Sequence, residues 1–298
     1  MRISTSLLFQ RGVNSMTEQQ STLSDTQTQL ATGERLSAPS DDPFASTRII
    51  ALDEQTKTLD QYQRNAGSAS TRLALEETAL VSAIDTLQRL HELAVQGSNG
   101  VYSLQERRAI ALEVSELRDS IFNISNTTDA SGDYIFSGDR TGSPAFTDNL
   151  DGTFTYNGDQ GQRLVQIGTN REIKTGDSGF EVFSNVPGVA GQNIMEIANA
   201  LADTLNLGNS SVTSVNDLDA ALRHLSGVRS GIGARVNAIE SQIETNESFN
   251  LSLEKNRSAL ADLDYADAVS RFQQELAGLQ AAQQSFVQIQ NLSLFNYL

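Results

Sequence analysis

Along most of this chain apolar residues return at every seventh position, and in one central stretch they do not. The first regular stretch carries Phe9, Met16, Leu23 and Leu30, each seven residues apart. That spacing keeps the side chains on one stripe of a helix, the seam of a coiled coil. The companion positions Gln20 and Gln27 are polar, so the seam needs other helices to hold it. Gly33 closes the pattern, and Ala38-Pro39-Ser40-Asp41-Asp42-Pro43 follows. Each proline pushes its predecessor out of the helical region, and Ser or Asp there can cap the next helix.

A much longer line begins at Pro43: Ala45, Leu52, Leu59, Ala66, Leu73, Leu80, Leu87 and Ala94. At ~1.5 Å per residue the helix it predicts is roughly 75–80 Å long. Gly67 interrupts it at a cost of about 1 kcal/mol relative to Ala. Gly97, Asn99 and Gly100 predict a turn, and Ser103-Leu104-Gln105-Glu106 reads as a capping box opening a second helix. Ile110, Val114, Leu117, Ile121 and Ile124 then step by four and three. The two helices are predicted to form an antiparallel hairpin.

Between residues 130 and 190 the pattern changes to Gly, Asp, Asn and Thr around four short β-like pieces. These are Tyr134-Ile135-Phe136, Thr153-Phe154-Thr155-Tyr156, Leu164-Val165-Gln166-Ile167 and Phe180-Glu181-Val182-Phe183. Turn signals at 149–152 and 157–159 separate them. The expectation is a small β-domain inserted at the surface, whose removal would spare the helices. Helical pattern resumes at 193–207 and from Val215, where Ile232, Ile239, Leu253 and Leu260 share one line broken by Asn246.

The last stretch repeats the device of the first. Tyr265, Phe272, Leu279 and Phe286 are seven apart, with Val269 and Leu276 alongside, and Leu294, Phe295 and Leu298 extend the apolar end. From Leu276 to Leu298 no residue is charged. A wet surface helix scatters Lys and Glu over its outer face. A helix to be surrounded by its own copies avoids charges, because buried unpaired charge is costly while amides can pair. The predicted self-assembly residues are therefore Phe9, Met16, Leu23, Leu30, Tyr265, Val269, Phe272, Leu276, Leu279, Phe286, Leu294, Phe295 and Leu298.

Composition narrows the function. Lys+Arg of 21 against Asp+Glu of 37 gives a formal net charge of −16 over 298 residues. Such a chain is repelled by phosphate backbones and anionic lipid, so neither nucleic acid nor membrane is an expected partner. Cysteine is absent, which removes disulfide staples and thiolate chemistry. No apolar run reaches ~18 residues, and Leu7–Phe9 is too short for a signal-peptide core. If the protein leaves the cell, it is expected to do so without a cleaved Sec signal.

Catalytic constellations are hard to find. The two histidines are His91 and His224. His91-Glu92 lacks the second histidine of a zinc-protease motif, because position 95 is Val95. Asp148-Asn149-Leu150-Asp151-Gly152 puts Leu150 where an EF-hand needs an oxygen ligand. Gly227, Gly231 and Gly233 precede no Gly-Lys-Ser/Thr, so they make no phosphate loop. Their spacing suggests instead a close approach of two helix backbones. No metal, no cofactor and no enzymatic activity are expected.

Several segments together resemble the flagellin family. They are Met1-Arg2-Ile3-Ser4-Thr5, Gln29-Leu30-Ala31-Thr32-Gly33-Glu34-Arg35-Leu36, Ser40-Asp41-Asp42-Pro43, Ser230-Gly231-Ile232-Gly233-Ala234-Arg235-Val236-Asn237 and Leu263-Asp264-Tyr265-Ala266-Asp267-Ala268. They occur in order and at both ends. Tyr134-Ile135-Phe136-Ser137-Gly138 and the terminus Leu292-Ser293-Leu294-Phe295-Asn296-Tyr297-Leu298 are similar to the family's hook–filament junction members. A short flagellin that forms the filament itself is the alternative.

The resemblance implies a flagellin-like fold: mainly α, with a small inserted β-domain and long antiparallel coiled-coil helices from both chain ends. The expected parts are a helix of an inner assembly layer (1–38), a long helical hairpin (39–133) and an outward-facing β-domain (134–188). Return helices packing on the hairpin (189–255) and a second inner-layer helix (256–298) complete it. The resemblance also implies the partners: a ring of identical subunits, hook-associated protein 1 on the hook side, flagellin on the filament side, and a cytoplasmic export chaperone. Type III export to the extracellular flagellum comes from the same source.

Overall fold

The computed structural model describes residues 2–189 and 191–291. The chain runs α1 (Arg2–Thr32), α2 (Pro43–Ser98), α3 (Leu104–Ser125), β1 (Phe146–Asp148), β2 (Phe154–Tyr156), β3 (Leu164–Gly168) and β4 (Arg171–Lys174). A π-helical turn (Phe180–Ser184), α4 (Ile194–Asn206), α5 (Val212–Ala261) and α6 (Tyr265–Asn291) follow. It is a mainly helical fold with long helices from both ends and a small strand-bearing segment between them. Two compact units are formed: Met1–Thr58 with Ser248–Leu298, and Leu59–Glu247.

In the unit Leu59–Glu247 the seven-residue line of α2 is the spine. Ala66, Leu73, Leu80, Leu87 and Ala94 are all buried. They meet Ile110, Val114 and Ile121 of α3, Ile194, Leu201 and Leu205 of α4, and Leu218, Leu225, Ile232 and Ile239 of α5 in one apolar core. Ser103 opens α3 with the expected capping box, its hydroxyl accepting from the Glu106 amide while Glu106 accepts from the Ser103 amide. The Ser103 amide and, second, the Ser103 hydroxyl both donate to the Glu106 carboxylate, at 2.7 and 2.8 Å, and hold it below its ordinary range. Across the hairpin Arg89 of α2 pairs with Glu113 of α3 at 2.7 Å.

The strand-bearing segment forms two antiparallel hairpins, β1–β2 and β3–β4. Phe146 faces Tyr156 and Asp148 faces Phe154 in the first; Leu164 faces Lys174 in the second. Turn chemistry explains its acids. Asp148 accepts from the Leu150 amide, with Leu150 at φ 62 and Gly152 at φ 87. The Thr153 hydroxyl and amide hold the Asp151 carboxyl below its usual value.

Two expected strands are not strands. Phe180–Ser184 is a π-helical turn, closed by the Asn185 amide donating to the Phe180 carbonyl at 2.9 Å. Neighbouring Val182 and Phe183 are both buried in the same core, whereas a strand sends consecutive side chains to opposite faces. The same holds for Ile135 and Phe136, and Tyr134 makes only an isolated bridge to Thr128. Conversely β1 and β4 form from polar sequence that gave no strand signal.

The segment shares one apolar core with the helices. Phe136, Phe146, Phe154, Ile167, Ile173, Val182, Phe183 and Val186 belong to the same core as the helices. Phe183 sits edge-on to Phe136 and Phe146, with ring centroids 5.1 and 6.0 Å apart. Asn246, the polar break in the α5 line, is buried and donates to the Ile167 carbonyl of β3 at 2.9 Å. The glycines Gly227, Gly231 and Gly233 do not mark a close helix approach, since nothing described lies within 4 Å of a Cβ added at any of them.

Candidate assembly surface on the terminal helices

The unit of Met1–Thr58 and Ser248–Leu298 is organised around a junction between two helix breaks, α1 to α2 and α5 to α6. After α1, Gly33 turns at φ +76, a conformation that glycine adopts without strain. Glu34 then bridges Asp262 in antiparallel pairing. The Arg35 amide donates to the Ala261 carbonyl at 2.7 Å, and the Leu263 amide donates to Gly33 at 3.0 Å. The Arg35 guanidinium adds two bonds to the Leu260 carbonyl, at 3.1 and 2.9 Å.

Caps fix the helices that leave this junction. Asp41 accepts from the Ser37 and Ala38 amides, tying down the loop. Asp42 accepts from the Ala45 amide at 3.0 Å and so caps α2 ahead of Pro43. Asp264 accepts from the Ala266 and Asp267 amides and caps α6. Between α2 and α5, Arg257 pairs with Asp53 at 2.9 Å.

From the junction α1 and α6 run side by side, antiparallel. At one end the Tyr265 hydroxyl lies against Gly33, 2.8 Å from where a Cβ would stand. At the other, Phe9 packs on Phe286 with centroids 4.9 Å apart and planes tilted by 45°. Gly12 makes room for that ring, its missing Cβ lying 3.0 Å from Phe286 Cδ2.

The pair covers little of its own apolar stripe. Among the described residues of α1 and α6 only Thr26 and Ala268 are buried. Met16, Leu23, Leu30, Phe272, Leu279 and Phe286 are half-buried in the seam. Phe9 is 45% exposed, Tyr265 55%, Val269 43% and Leu276 39%. Leu294, Phe295 and Leu298 lie outside the described residues. Leu7, Val13 and Val287 add further exposed apolar area. Oxygens of Gln19, Gln29 and Glu275 are buried with no hydrogen-bond partner among the described residues. Two helices of this composition need further helices to cover them.

The spacing of apolar residues located the stripe but not what anchors it. Arg35 and Arg257 carried no periodic signal, because their roles come from partners more than two hundred residues away. No helix among the described residues is long and apolar enough to cross a membrane. No group of three or more His, Asp or Glu among them could hold a metal ion. His224 Nε2 lies at hydrogen-bond distance, 2.8 Å, from the Glu181 carbonyl.

Comparison with known proteins agrees with this architecture at both ends. Residues 3–141 match the family model for the bacterial flagellin N-terminal helical region. Residues 215–298 match that for the bacterial flagellin C-terminal helical region. The chain is 27% identical to flagellar hook-associated protein 3 of Escherichia coli (strain K12), over 99% of each chain. It is 26% identical to the protein of the same name from Salmonella typhimurium, again over 99% of each. A putative flagellar hook-associated protein from Vibrio parahaemolyticus has the same fold, with a TM-score of 0.69, 24% identity, and coverage of 74% of this chain and 100% of that one. With both helical ends matched in order and the likeness to hook-associated protein 3 running the full length, the chain belongs to the flagellin family.

Proposed function

We propose that this protein is a structural subunit of the bacterial flagellum that joins the hook to the filament and carries no catalytic activity. In this reading copies of the chain close into a ring, their α1–α6 pairs packing coaxially against one another. The contacts are heterologous, so identical chains can close around an axis. One face of the ring meets hook-associated protein 1 and the other meets flagellin. The chain reaches its extracellular place by type III export, escorted by a cytoplasmic chaperone.

The observation that carries the reading is the half-covered stripe on α1 and α6, in a chain whose other apolar core is fully enclosed. Whole-length similarity to hook-associated protein 3 supports the junction over the filament. Imaging flagella of a strain lacking the protein tests it. Bare hooks, with flagellin released to the medium, are expected. Filaments of normal number and attachment in that strain would overturn the junction role.

A further inference from the structure

Glu76, on the core-facing side of α2, is the one acid among the described residues that is almost completely enclosed, at 1% exposure. Its Oε1 accepts the Asp177 amide at 3.1 Å, on the segment that links β4 to the π-helical turn. Its Oε2 has no hydrogen-bond partner among the described residues. Three charged groups act on it, Asp177, Arg235 and Arg72, and both cations already have a carboxylate partner. Arg235 of α5 forms a two-pronged pair with Asp177, one prong at 3.1 Å. Arg72, one turn earlier on α2, faces Asp129 at 3.7 Å. Two cations therefore meet two carboxylates, and an ionised Glu76 would be a fifth, uncompensated charge. A buried charge without a counter-ion is strongly disfavoured, so the balanced state of the cluster is the one with Glu76 neutral.

We propose that Glu76 is a proton-held latch: as a neutral acid it fastens the 175–179 segment to α2, and its ionisation loosens that segment. What the latch holds is specific. The Gly179 amide donates to the Phe136 carbonyl at 2.7 Å, and the turn beyond it supplies the buried Val182 and Phe183. Burial first, and the Asp177 charge second, push the Glu76 carboxyl from its ordinary 4.5 to about 8, against the opposing pull of Arg235, the Asp177 amide and Arg72. Once the segment opens, Glu76 returns toward its ordinary value. The closed state thus holds the extra proton between those limits, so rising pH favours opening throughout that window. Above about 8 both states are ionised and the dependence levels off. His224 is the other titratable group beside this segment, its Nε2 lying 2.8 Å from the Glu181 carbonyl. Lys174, at the end of β4, is exposed.

Amide hydrogen exchange on the full-length protein between pH 5.5 and 9 tests the latch, with rates corrected for the intrinsic pH dependence. In the wild type, protection at Asp177 and Gly179 should fall by up to about tenfold per pH unit up to about pH 8 and then level. In Glu76→Gln, which retains His224, that slope should vanish, while α3 amides behave alike in both proteins. A wild-type profile without the slope, or a variant that keeps it, would overturn the proposal. Should the variant not fold, glutamate carboxyl carbon shifts in the wild type decide the matter. One glutamate titrating near 8 is expected, and all of them titrating below about 5.5 would contradict it.

Discussion

The guanidinium of Arg35 donates to the carbonyl of Leu260 at 3.1 and 2.9 Å, across a sequence separation of 225 residues. This contact braces the place where the first helix ends to the place where the last begins. Without it the Glu34–Asp262 bridge would rest on two backbone bonds. Arg35→Ala should cost about 1.5 kcal/mol locally, the low end for a charge-assisted bond, because the guanidinium is half exposed. Exchange at the Leu263 amide reads this directly and should quicken about tenfold. Unchanged protection there would show the brace to be redundant.

Glycine substitutions should act with opposite signs at two sites. Gly33 has φ +76 and a Cβ there would press on the Tyr265 hydroxyl, so Gly33→Ala should destabilise by about 1 kcal/mol or more. Gly67 is exposed inside α2 with nothing within 4 Å of an added Cβ. Gly67→Ala should therefore stabilise by up to about 1 kcal/mol. Urea denaturation measures both, and two changes of the same sign would contradict the account.

Phe183→Ala should cost about 3–5 kcal/mol, since the ring is fully enclosed between Phe136 and Phe146. Replacing residues 146–184 by a short flexible linker should abolish the cooperative melt of the helices for the same reason. A helical melt that survives the replacement would restore the view of this segment as a surface insertion.

The Ser103–Glu106 capping box gives α3 a pH-dependent start. Its bonds lower the Glu106 carboxyl below its ordinary 4.5, so the charged form stabilises the native state above that value. The contribution is lost as pH falls through the lowered pKa. Glu106→Ala should therefore weaken the wild-type fold at pH 7 and make little difference well below pH 4. Chemical denaturation at both pH values checks it; an equal deficit at both would assign the loss to packing.

The helices were legible because their signal is local and repeated. On α2, the predicted line from Ala45 to Ala94 is buried at every position except the half-buried Leu59. Gly33, Asp42, Ser103 and Asn193 punctuate helices as their chemistry dictates. The central segment was misread where short apolar clusters, Ile135-Phe136 and Val182-Phe183, carry no period long enough to separate strand from turn. Glu76 was invisible for a different reason. An acid on a helix reads as a wet residue, and only the arrival of Asp177 and Arg235 from far along the chain encloses it.

The central claim is that α1 and α6 carry their apolar stripe for neighbours. Leu279 and Phe286 lie on that stripe, half-buried against α1, while the enclosed core of Leu59–Glu247 is built from other residues. Leu279→Asp combined with Phe286→Asp should leave the purified monomer melting within a few degrees of the wild type. Counting attached filaments per cell by electron microscopy, in a strain whose only copy is this double variant, is the most direct measurement. The account predicts bare hooks together with a near-normal monomer melt. Filaments attached in normal number, or a monomer that has lost several kcal/mol of stability, would contradict it.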